Sequence, residues 1–75
     1  MITIVSQDGR RIVLAVELNL AKRPETDETV VIVYPGGNIV AAYPTEEIAK
    51  AVIAEVKKVV AKGQKLFEMP KGGVK

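Results

Sequence analysis

Residues 44–63, PTEEIAKAVIAEVKKVVAKG, decide the fold: they spell one amphipathic helix that arrives after a run of β-like segments. Thr45 has the right chemistry for an N-cap, with Glu46 and Glu47 set against the positive end of the helix dipole. Gly63 follows Lys62 as a stop, and Lys57, Lys58 and Lys62 gather at the negative end. At about 100° per residue, Ile48, Ala49, Val52, Ile53, Val56, Val59 and Val60 share one arc. Glu46, Lys50, Glu55, Lys57, Lys58 and Lys62 fill the other side, and Glu46 with Lys50 forms a favourable i,i+4 pair. The β-branched residues of the apolar arc lower intrinsic helicity, so this helix needs a surface to pack on.

The preceding segments supply that surface. Met1 to Ser6 has strand character, and Asp8-Gly9 is a two-residue hairpin signal of the type I′ kind, in which both central residues take positive φ. From Arg10 to Leu20 the chain alternates, with Ile12, Leu14, Val16, Leu18 and Leu20 on one face and Val13, Ala15, Glu17 and Asn19 on the other. Lys22 to Glu28 is charged, contains Pro24 and has no periodicity, so it is a loop. Thr29 to Tyr34 is an apolar strand, Pro35-Gly36-Gly37-Asn38 turns it, and Ile39 to Tyr43 returns antiparallel into the helix. Lys65 to Met69 is a short edge strand or an extended tail, and 70–75 is expected to fray.

The expected fold is therefore α+β, one domain over residues 1–69. A four-stranded antiparallel sheet of two successive hairpins carries the helix from about 46 to 62 across one face. Ile12, Leu14, Val16, Leu18, Ile48, Val52, Val56, Val59 and Val60 are its expected core, with one face each of 30–34 and 39–43.

One helix covers only one side of such a sheet, yet several strands are apolar on both sides. Exposed faces of antiparallel sheets normally carry polar residues. The surplus is expected to be covered by the segment around Leu66 and Phe67, by a second copy, or by another partner, the remaining alternative being a partly open face on valine-rich strands. The favoured reading is a homodimer through that face or an edge strand, with Val13, Ala15, Val30, Ile32, Tyr34, Val40 and Tyr43 as candidate interface residues.

Composition narrows the chemistry. The 75 residues include no cysteine and no histidine, which removes disulfides, thiolate metal sites, the commonest general base and the commonest zinc ligand. The single serine, Ser6, has no histidine to activate it, and no acids are spaced as a calcium loop. No catalytic residue, metal site or cofactor is expected. Gly36-Gly37 precedes a strand rather than a helix and has no nearby lysine, so it is a turn and not a phosphate cradle. Tyr34 and Tyr43, flanking that turn, are read as packed neighbours rather than a base-stacking platform. The net charge of +2 is too weak to imply nucleic acid by itself. Arg10, Arg11, Lys22 and Arg23 supply the alternative reading, a nucleic-acid-binding accessory protein. No segment has the length for a membrane span or the apolar run of a signal peptide, so a cytoplasmic protein is expected.

Three motifs carry a family likeness: the opening I-V-S-Q-D-G at 4–9, Y-P-T-E-E-I-A-K-A-V at 43–52, and F-E-M-P at 67–70. Together they resemble a group of small uncharacterised proteins from bacteriophages and prophage regions of Gram-positive bacteria. The resemblance implies a small αβ accessory protein, an interaction module, and transfers no activity.

Overall fold

The computed structural model describes residues 1–71, and the rest of the expected tail, 72–75, lies outside the described residues. The class is α+β, as expected: β1 (Ile2–Val5), β2 (Ile12–Ala15), β3 (Glu17–Lys22), β4 (Thr29–Tyr34), β5 (Asn38–Tyr43), α1 (Glu46–Ala61) and β6 (Leu66–Glu68). The strands form two three-stranded sheets, ordered β2-β1-β6 and β3-β4-β5, in place of the expected four-stranded sheet.

The difference originates between Ala15 and Leu18. Ile2 pairs with Ala15 and Ile4 with Val13, so the odd residues of β2 face the core beside the buried Ile2 and Ile4. In β3 it is Leu18 and Leu20 that face inward, opposite Val33 and Val31. Between Ala15 and Leu18 two consecutive residues, Val16 and Glu17, point away. Glu17 is in register with Tyr34, and the Val16 amide also reaches the Tyr34 carbonyl at 2.9 Å. Two residues thus oppose one, a bulge that shifts the alternation by a step and turns the strand into the second sheet. A one-residue slip exchanges the faces of everything before it. Ile12, Leu14 and Val16, expected in the core, are therefore 71%, 59% and 69% exposed, while the smaller Ala15 is buried.

The first hairpin turn is also longer than expected. Gly9 has φ +72°, and Asp27 is the one described non-glycine residue with positive φ, so Asp8 does not make the type I′ turn. The turn instead spans Ser6 to Arg11. The Ser6 amide donates to the Arg11 carbonyl at 2.9 Å, and the Asp8 carboxylate accepts from the Ser6 hydroxyl and from the Arg10 amide.

Helix α1 follows the sequence closely. Thr45 caps it through its hydroxyl, which accepts from the Ile48 amide at 3.2 Å. At the other end Gly63, φ +78°, donates to Val60, and Gln64 donates to Val59, a Schellman closure. Ala49, Val52 and Val56 are buried against the second sheet, whereas Val60, expected in the core, is half exposed.

The C-terminal segment covers part of the surplus. β6 runs parallel to β1, turning Phe67 inward opposite Ile4, and Met69 enters the core. Pro70 and Lys71, placed in the expected tail, are fastened by hydrogen bonds to Tyr43 and Gln7.

Candidate functional site

The seven candidate interface residues divide between two sides of the fold. Val13 and Ala15 face inward from the first sheet, opposite Ile4 and Ile2. Val40 and Tyr43 are buried in the core cluster, and Tyr43 sits opposite Thr29 rather than beside Tyr34. Val30, Ile32 and Tyr34 alternate along the side of β4 turned away from the helix, with Ile39 across from Ile32. Of this second group only Tyr34 is exposed: Val30 is buried and Ile32 is partly covered.

The larger uncovered apolar surface is one the sequence did not mark. On the outward face of the first sheet, Leu14 and Leu66 flank Thr3, and Ile12 lies opposite Val5. Val16 continues the surface at the bend, beside a hollow of about 330 Å³ lined by Met1, Ile2, Ala15, Val60 and residues 63–65. No Gly or Pro marks residues 15–18 as a break, and the alternation from Ile12 to Leu20 reads through it. The one local hint is Glu17, a carboxylate inside an apolar strand.

Backbone edges are treated unequally. The edge of β5 is sealed by Gln7, whose amide donates to Val40 O at 2.7 Å and whose side-chain oxygen accepts from Ala42 N at 3.0 Å. The Arg11 guanidinium covers the next carbonyl, Ile39 O, at 3.2 Å. At the opposite end of the second sheet, β3 has β4 on one side and, among the described residues, no strand on the other.

The basic residues do not converge into one patch. Arg11 is committed to the β5 edge, Lys22 pairs with Asp27 at 3.0 Å, and Arg23 approaches Glu28 at 3.8 Å. Those two pairs are solvent-exposed and contribute about 0–1 kcal/mol each. Among the acids, the Ser6 hydroxyl and then the Arg10 amide hold the Asp8 carboxyl below its ordinary range. Burial pushes the Tyr43 hydroxyl up to about 12. Among the described residues, no three His, Cys, Asp or Glu side chains are grouped to hold a metal. Among the described residues no helix is long and apolar enough to cross a membrane. Comparison with protein-family models, curated proteins and solved structures finds no match to this chain.

Proposed function

We propose that this chain is a small, non-enzymatic protein–protein interaction module that works as a homodimer. The observation that carries the reading is the uncovered run Ile12, Leu14 and Val16, large aliphatic side chains left in water by a fold that had a core to put them in. Burying each is worth about 1.5–3 kcal/mol, and contiguous exposed apolar surface marks an interaction site. A second copy is the favoured occupant because the same stretch runs on into the unprotected edge of β3, so apolar surface and open backbone lie consecutively along residues 12–22. A cytoplasmic setting and a phage-accessory role belong to the same reading, supported by the motifs at 4–9, 43–52 and 67–70.

Sedimentation equilibrium tests it. The expected mass is twice the 8.1 kDa chain, with V16E shifting the protein toward monomer while its circular dichroism is retained. A wild-type mass that stays at one chain into the high micromolar range overturns the proposal.

A further inference from the structure

We infer that the second copy joins at the free edge of β3, antiparallel, about a two-fold axis passing beside Leu20; this rests on the homodimer reading above. Of the strands that end a sheet, β3 is the one left open along six residues. β5 is closed by Gln7 and Arg11 and distorted by a bulge at Val40. β2 has four residues, and β6 has three and runs into Pro70. β3 contains no proline and ends in a turn, and natural sheets rarely leave such an edge unprotected without a partner for it.

Hydrogen-bond direction fixes which groups are on offer. The Arg23 amide donates to Glu28 O at 2.8 Å, one step beyond the Lys22–Thr29 register, so the odd residues of β3 bond to β4. Leu18, Leu20 and Lys22 then direct their N–H and C=O groups to the open side. A two-fold axis normal to the sheet must pair residues of the same parity. Centred on Leu20, it sets Leu20 against its own copy and Leu18 against Lys22 of the second copy, so all these open groups are used.

Charge selects this register among its neighbours. Centring on Leu20 places Glu17 opposite Arg23 of the second copy, twice per dimer, on the outward face where Asn19 already holds the Glu17 carboxylate at 2.6 Å. It also brings Pro24 of the second copy alongside the exposed Val16. Centring on Asn19 leaves Glu17 facing Ala21, and centring on Ala21 sets Glu17 against Glu25, a like-charge pair. The product is one six-stranded sheet across both copies, with the rows of Ile32 and Tyr34 on a shared outer face.

Charge reversal with mixing tests the register. E17R alone and R23E alone are each expected to raise the dimer dissociation constant about tenfold, and an equimolar mixture of the two is expected to restore it, since every cross-strand pair becomes opposite again. Amide exchange is the second readout: the Leu18, Leu20 and Lys22 amides gain protection as wild-type concentration rises. If the protein is dimeric but the mixture gives no rescue and those amides exchange independently of concentration, the β3 edge is wrong and the homodimer reading stands. A wild type that remains monomeric removes both.

Discussion

The Tyr43 hydroxyl donates to the Pro70 carbonyl at 2.7 Å, tying the end of β5 to the segment that follows β6. The ring is fully buried, so the fold requires the phenol neutral. Its ionisation in the folded protein lies near 12, above the ordinary value of 10. A folded-state pKa raised in this way means that the unfolded chain loses its proton first, so stability falls as pH climbs from about 10 towards 12. Denaturant midpoints across that window are expected to decline for the wild type and to decline less for Y43F. At neutral pH, Y43F costs about 1 kcal/mol, since Pro70 O keeps only its 3.3 Å contact from Gln7.

Gln7 joins three segments that are far apart in sequence. Q7A removes the acceptor for Ala42 N and the donor to Lys71 O at 2.7 Å. The expected loss is about 1–3 kcal/mol, because a partly buried backbone amide is left without a partner. For a domain of this size each kcal/mol lowers the thermal midpoint by about 4–8 °C, which calorimetry resolves. The same change uncovers Ala42 N on the β5 edge, so Q7A is also expected to aggregate more readily than other variants of equal stability.

Core and surface positions should separate sharply. Val52 is fully buried, and V52A is expected to cost about 2–3 kcal/mol in urea unfolding. L14A removes a larger side chain yet is expected to change the unfolding free energy of the monomer by less than about 0.5 kcal/mol. Comparable losses for the two would contradict the bend at Val16.

The helix ends give two independent measurements. T45A removes the cap on Ile48 and is expected to cost about 1 kcal/mol. G63A places a Cβ in open space but at φ +78°, so its cost, again about 1 kcal/mol, comes from backbone conformation alone. G63N should recover part of that loss, because asparagine tolerates the left-handed region.

Local chemistry made part of this molecule legible. Thr45, the acidic first turn and Gly63 bound the helix because caps and stops act within a few residues of themselves. The β4–β5 hairpin is equally local, set by Pro35-Gly36-Gly37 between apolar runs. The break at Val16 is a different kind of fact. Nothing at that position disfavours a straight strand; the bend arises because β1 and β4 claim opposite halves of the same segment, and those are distant pairings. The exposed face inherits the difficulty. The alternation marks Val13 and Ala15 as the spare side, and the slip puts the larger Ile12 and Leu14 there instead. Tyr43 was similarly unreadable, since a bulge at Val40 and the returning Pro70 determine its surroundings.

The paired outward residues Val16 and Glu17 leave the gene one codon from a different protein. Deleting either would set Ala15 two residues before Leu18, lining up Val13, Ala15, Leu18 and Leu20 on one face of a straight ribbon, with Ile12 and Leu14 still on the other, and erasing the corner between the sheets. Retaining both residues keeps that corner, so one length of chain serves two sheets that close over a common interior.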